Sequence, residues 1–438
     1  MGKSSIIYVI GLGLIIGISL VNINQNSVDS MDTYMLYYGR TMAHNISLAA
    51  ANIGSNFVLF NSAYSTNFSG SFSGGSYTVA YADTGSNSTR TKLMTVSSMY
   101  RASGETIRDT VKAVYRYTMF SRYGWFTDKE ANGYMQVTGG NGPYTGSNDW
   151  KITGDSVFGY AHTNAHFNLA GTPYFDKKVT AANAPSLSSI SGVQNPVYNE
   201  GYEWGVTINR DTANITTLKA LANAGGPLGA LMTGNDVGIE FKQNGTARVK
   251  IPWNTGTLKD TTLPASNLST SKVIGVMSGD LHVQGTYNGQ YTVAAFSGAS
   301  GASTNKGNVW IDDDIKAKNS PRTDQSSTDM LGIVAERMGY IPKTLAGTSS
   351  RVINIEAAIY CHKGEFTAEE FWNIAVSGRV SLFGSLTQKT AGSLGVFNGS
   401  GITNGYLYSI RHDARFLGIG PPAFPFSTKY RLISWWEN

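Results

Sequence analysis

The chain has 438 residues, enough for two or three domains and a sizeable core. Its 41% hydrophobic content excludes a disordered chain, and 50 glycines with only 14% charged residues describe an extracytoplasmic, β-rich protein with many tight turns. The net charge of +5 is too mild to argue for nucleic-acid binding; the single cysteine, Cys361, excludes an intrachain disulfide and reads as a small buried hydrophobe.

Ile6–Phe60 reads as one long helix with two jobs, about 80 Å long at about 1.5 Å per residue. Its first half, Ile6–Val21, is an apolar run behind a lone Lys3, with Ile6, Ile7, Val9, Ile10, Leu12, Leu14, Ile15, Ile16, Ile18, Leu20 and Val21 as its membrane and assembly surface. Gly11 and Gly13 inside that run mean helix contact. No small-x-small site follows, since Asn22, Asn24, Gln25 and Asn26 come next and the first alanine is Ala43, so a retained anchor is expected. Ile6 stands where myristoylation needs Ser or Thr. Lys3 on the short side argues for the N-terminus inside and the body outside. In the second half, Met31, Met35, Tyr38, Met42, Ile46, Ala49, Ile53, Phe57 and Phe60 recur at steps of three and four, the period of an amphipathic helix. This stripe is expected to pack against a folded head and supply its core.

After a polar loop, Asn61–Gly75, three strands are predicted at Ser76–Asp83, Thr91–Met99 and Thr106–Tyr117, separated by Gly/Ser/Asn turns as antiparallel hairpins require. From about Phe120 helical periodicity fades. Short β runs take over, several opening on glycine: Gly279–Gly285, Gly307–Ile311 and Gly378–Gly384, with Phe167–Gly171 and Val352–Ile359 as looser cases. Short strands with glycine corners suit the rungs of a β-solenoid, although the intervals are irregular and a β-sandwich reads nearly as well. Ile215–Ala224 and Thr367–Ile374 are predicted helical, the second because Thr367 and Glu370 have capping-box spacing. Lys316–Thr328 reads as an exposed loop, and Gly420–Phe426 as a stiff linker before an apolar final strand, Lys429–Trp436, tied back to the first sheet.

Two resemblances emerge. The apolar run, Tyr37-Tyr38-Gly39-Arg40 and Ala43–Phe60 resemble the N-terminus of type IV pilin-like minor pilins of the PilX type. Thr153–Asn164, Gly171–Phe175, Gly384–Gln388, Tyr406–Tyr408, Asp413–Phe416, Pro421–Pro425 and Ser434–Glu437 resemble, in order, large pilus-associated proteins of the DUF4900 kind. The chain departs from major pilins, since Lys3 follows Gly2 and Ile7 stands where they carry a glutamate that pairs with a neighbour's N-terminal amine. That departure fits a tip or minor subunit, and equally a protein that stays in the membrane. The resemblance implies a bacterial cell-envelope protein with the membrane and other pilin-like subunits as partners, and surface polysaccharide or DNA as further candidates.

Site chemistry is sparse. Asp155, Asp280, Asp312, Asp313 and Asp314 could in pairs act on a glycosidic bond, and Asp312–Asp314 could hold calcium, but aspartate after glycine more often caps turns. No EF-hand spacing, Walker motif, nucleophile elbow or zinc cluster is present. His162 and His166 lack a metalloprotease context, and Cys361-His362 is not ligand-spaced. Trp125, Trp150, Trp204, Trp253 and Trp310 would suit carbohydrate or single strands if clustered and exposed. The fold expected is therefore α+β, with a membrane helix (1–61), a small antiparallel head (62–122), a large β-solenoid or sandwich (123–420) and a terminal linker and strand (421–438). The function expected is non-enzymatic envelope display without a cofactor; the alternatives are a membrane-tethered polysaccharide-active enzyme and a passive scaffold.

Overall fold

The computed structural model describes residues 3–61, 64–84, 91–131, 133, 148–187, 195–210, 213–298, 305–346, 351–398 and 401–437; Gly2 lies outside them. The chain forms two compact units, Met1–Tyr117 with Lys429–Asn438, and Thr118–Thr428.

The first unit is built on α1 (Lys3–Phe60), unbroken because no proline or glycine pair interrupts it. Its sheet runs Phe68–Phe72, Gly75–Thr84, Thr91–Ala102, Glu105–Met119, then Phe426–Glu437, so the last strand joins the first sheet. The first four are antiparallel neighbours. Two two-residue turns, Ser73-Gly74 and Ser103-Gly104, set the register; both residues of each have positive φ, as a type I′ hairpin demands. The first of these turns converts part of the expected loop Asn61–Gly75 into the strand Phe68–Phe72, a polar edge strand that apolar alternation could not reveal.

The face of α1 that packs on this sheet is not the large-residue stripe. Gly39, Ala43, Ile46, Ser47, Ala50, Ala51, Gly54 and Val58 are the buried positions. Of the expected stripe only Ile46 is buried; Met42 and Ala49 are intermediate, and Met31, Met35, Tyr38, Ile53, Phe57 and Phe60 are exposed, Met31 by 69% and Phe60 by 90%. The reason is closeness of approach. A Cβ on Gly39 would lie 2.4 Å from Ile107 Cδ1, and one on Gly54 2.7 Å from Met94 Sδ. At that distance helix carbonyls become hydrogen-bond acceptors: Ser98 Oγ donates to Ala43 O at 2.6 Å and Tyr81 Oη to Gly54 O at 2.9 Å. Ser47 Oγ donates to Asp109, and Ser55 Oγ meets Tyr115 Oη at 2.5 Å. Small side chains and polar pins do what the stripe was expected to do.

The second unit is a parallel stack. Val273–Met277, Gln290–Phe296, Met330–Ala335, Val352–Cys361 and Arg379–Thr390 pair in succession, each parallel to the next. The stack then continues with strands from early in the chain: Tyr123–Lys129, Tyr160–Thr163, Val179–Ala181 and Tyr202–Trp204. A second stack runs Val237–Phe241, Leu281–Tyr287, Val309–Ala317, Gly339–Ile341, Phe366–Ala368. A third runs from Arg379–Thr390 through Leu407–His412, Ser156–Phe158 and Tyr174–Phe175 to Val197–Tyr198. Parallel pairing of successive strands is the pattern of a winding chain, whereas a sandwich is built from antiparallel hairpins. Antiparallel pairs in this unit are few among the described residues: Thr246–Ile251 beside Val237–Phe241 and Lys259–Pro264, and Gly395–Asn398 with Gly401–Gly405. The inward positions, among them Ile239, Val283, Ile311, Ile341, Ile355 and Leu382, form one continuous core.

The glycine that opens several β runs has a physical role. Gly307 and Gly378 precede rung strands with φ of 97° and 94°. A Cβ on Gly378 would sit 2.0 Å from Arg351 O, a neighbouring backbone oxygen that cannot step aside.

Three expectations change. α2 spans Ala213–Leu221, overlapping the first expected helix but starting and ending earlier, and Thr367–Ile374 is not helical. Phe366–Ala368 is a strand followed by the 3-10 turn Phe371–Asn373, because Thr367 Oγ1 donates to Ser393 O and Glu370 pairs with Lys343, leaving no capping box. The segment expected as an exposed loop is tied down where Ser320 Oγ and Arg322 Nε donate to Glu356 Oε1 at 2.6 and 3.1 Å. The expected linker is packed: Phe424 is buried with Phe120, Phe126 and Tyr360.

Gly54→Val should lower the stability of the first unit by about 1–3 kcal/mol through overpacking, whereas Met31→Ser should change it by less than about 0.5 kcal/mol; chemical denaturation of both variants checks this. Gly378→Ala, strained in φ and against backbone, should cost at least about 2 kcal/mol in the second unit's transition.

Candidate functional site

The first functional feature is the free half of α1. Ile6, Ile7, Val9, Ile10, Leu12, Leu14, Ile15, Ile16, Ile18, Leu20 and Val21 are each more than half exposed, and the helix is long and apolar enough to cross a membrane. A Cβ at Gly11, Gly13 or Gly17 would meet nothing within 4 Å, so this half of the helix is uncovered among the described residues.

The candidate acids do not form one site. Asp280 is buried under Gly307 N, Asn308 N and Asn308 Nδ2, which donate to its Oδ1, while Lys306 pairs with Asp280 and Asp236. Asp312, Asp313 and Asp314 lie in the strand Val309–Ala317, whose period of two separates Asp313 from its neighbours. Each has its own partner: His282 Nδ1 at 3.0 Å for Asp312, Arg351 for Asp313, and Lys316 with Asn354 N for Asp314. Among the described residues no group of three His, Cys, Asp or Glu converges as metal ligands would. His162 is buried between Thr180 Oγ1 and Asn164 Oδ1, and burial pulls its pKa down to about 4; His166 is exposed. Cys361 is buried, its thiol pushed up to about 12 by burial.

The tryptophans are mostly spent on packing. Trp253, His282, Trp310 and Tyr340 stack ring on ring with centroids 4.7, 5.7 and 4.5 Å apart, covering each other's faces. Trp204 stacks on Tyr202 at 4.7 Å. Trp125 is buried with Lys151 Nζ 3.8 Å from its ring centre.

Trp150 leads to a cleft. The strands Trp150–Ile152 and Leu407–His412, the turn Phe371–Asn373 and the hairpin through Gly395–Asn398 enclose about 200 Å³. Trp150, Phe371, Leu394, Phe397 and Tyr406 wall it, and Asp149 and Asp155 enter it. The two carboxylates differ. Asp149 is ion-paired with Lys151 and accepts from Ser393 Oγ at 3.3 Å. Asp155 accepts from Ile152 N at 2.8 Å, and burial pushes its pKa up to about 6. Behind them Glu130 is fully buried and raised by that burial; it accepts from Thr127 Oγ1 and from Trp125 Nε1, the latter at 3.2 Å. Glu365 accepts from Gly133 N at 2.8 Å and Thr390 Oγ1 at 3.0 Å, and burial drives it up to about 8. Of this group Asp155, Trp125 and Trp150 stood out in the sequence, and Tyr406 only within the motif Tyr406–Tyr408. Asp149 could have, since Asp149-Trp150-Lys151 interleaves an acid, an aromatic and a base in an otherwise charge-poor stretch; Glu365 comes from far along the chain and gave no local signal.

No protein-family model and no curated protein matches the chain, so the PilX-type and DUF4900-like resemblances rest on the motifs quoted for them. Among solved structures, one similar chain is that of the crystal structure of competence-associated pilin ComZ from Thermus thermophilus, 10% identical, with 92% of this chain and 97% of that chain covered at a TM-score of 0.31.

Glu365 sets a pH dependence. Its folded pKa of about 8 lies above its ordinary 4.5, so the folded state holds a proton that the unfolded chain releases. The stability this proton supplies is complete below about pH 4.5 and is lost as pH rises towards 8. Glu365→Gln should therefore flatten the fall in Tm between pH 5 and 8, as thermal unfolding across a buffer series would measure.

Proposed function

We propose that this chain is a non-enzymatic, membrane-anchored envelope protein of the minor type IV pilin-like kind, which displays an irregular β-solenoid outside the cytoplasm for adhesion, uptake or assembly. The observation that carries the reading is the division of labour along α1. Its first half leaves every large apolar side chain from Ile6 to Val21 exposed, while from Gly39 onward the same unbroken helix is fastened to a five-stranded sheet. A soluble protein gains nothing from some four turns of uncovered apolar helix; a lipid bilayer or a bundle of like helices would cover them.

Ile7, where a major pilin carries glutamate, favours a minor subunit placed where no neighbour's amine needs pairing, with the body as its distinctive load. The catalytic alternative required two or more of Asp155, Asp280 and Asp312–Asp314 to share a groove. They have separate partners, which supports a display role.

Fractionation of cells expressing the full chain tests this. The protein should stay in the membrane pellet through high salt and alkaline carbonate, its body should be cut by protease added to intact cells, and deletion of Ile6–Val21 should release it. A body protected inside the cytoplasm would overturn the proposal. Mass spectrometry of the mature N-terminus separates its two forms: a cut after Gly2 with an N-methylated next residue marks a filament subunit, and an intact Met1 marks a permanent anchor.

A further inference from the structure

We propose that the cleft beside Trp150 binds one neutral sugar ring of a polysaccharide. The cleft lies wholly within the second unit, so this holds whether or not α1 enters a membrane.

Size comes first. At about 200 Å³ the space is below the roughly 300 Å³ at which pockets for drug-sized ligands begin, and it suits a single ring rather than a peptide segment. Shape and chemistry narrow the occupant further. The half-buried aromatic side chains of Trp150 and Phe397 offer the flat apolar surface on which the C–H face of a pyranose rests. Against them stand two carboxylates, Asp149 and Asp155, whose oxygens accept hydrogen bonds, so the ligand must donate. An anion would be repelled by them. A cation is the weaker fit, because Lys151 already sits against Asp149 and offsets its charge. A ring bearing hydroxyls donates without bringing charge, and it leaves apolar C–H groups for the aromatic walls.

The walls and the acids come from three separate stretches of chain, around Trp150, Phe371 and Phe397, which is how a binding site differs from a chance run of acids.

The test uses the full-length chain in detergent, titrated with glucose, galactose, mannose and N-acetylglucosamine and their β-linked disaccharides, and read by saturation-transfer NMR and calorimetry. At least one should bind saturably. Asp155→Asn should weaken it by about tenfold, as loss of a hydrogen bond to a charged group does. Trp150→Ala removes a half-buried aromatic wall and should lose affinity severalfold, whereas Tyr406→Phe removes a hydroxyl closed off from the cleft and should leave affinity unchanged. Saturable binding of none of these sugars by wild type of unchanged Tm would overturn the proposal. So would wild-type affinity in both Asp155→Asn and Trp150→Ala, or displacement of the sugar by an alkylammonium ion that binds more tightly.

Discussion

The structure depends on one strand pairing. Arg379–Thr390, near the end of the large unit, lies parallel to Tyr123–Lys129, which opens it. The chain winds first through residues 123–204 and again through residues 237–412, and each winding alone would expose a long row of unpaired backbone groups. Joined at this seam they form one ladder. Leu386 and Trp125 meet in register there, and Thr387 Oγ1 donates to Phe120 O on the same strand of contact. The cleft belongs to this seam, since Asp149 and Trp150 come from the first winding and Tyr406, Phe371 and Phe397 from the second. The buried charges Glu130, Lys151 and Glu365 sit beside it, where two stretches of chain distant in sequence must be matched in polarity as well as in shape.

The sequence revealed some of this and hid the rest for identifiable reasons. The long apolar helix was legible because crossing a bilayer imposes a length and a composition on a helix. The strands opened by Gly307 and Gly378 were legible because positive φ close against a neighbouring backbone favours glycine. The packing face of α1 was misread because periodicity detects large apolar residues, whereas close helix–sheet contact selects small ones; Gly39, Ala43, Ser47, Ala50 and Gly54 carry little hydrophobic signal. The seam left no local trace, because residues about 260 positions apart cannot announce a pairing through spacing alone. Glu365 was hidden for the same reason.

This inversion on α1 has a further meaning. Large apolar residues that the head does not bury, such as Met35 and Ile53, stay on the outside of the helix. The run Ile6–Val21 is apolar all round, and the part on the head keeps an apolar flank. A surface of that kind favours lateral contact along much of the rod, in lipid or among helices of its own type, at little cost to the stability of the head.

The large unit is an insertion. The chain leaves the five-stranded sheet after Tyr117 and returns to it at Lys429, into two strands that are neighbours in that sheet, Glu105–Met119 and Phe426–Glu437. Any pull exerted on the body is thus divided between two covalent tethers instead of one. A single linker would concentrate the same tension on one peptide and could be severed by one proteolytic cut; here a lone nick leaves the cargo attached.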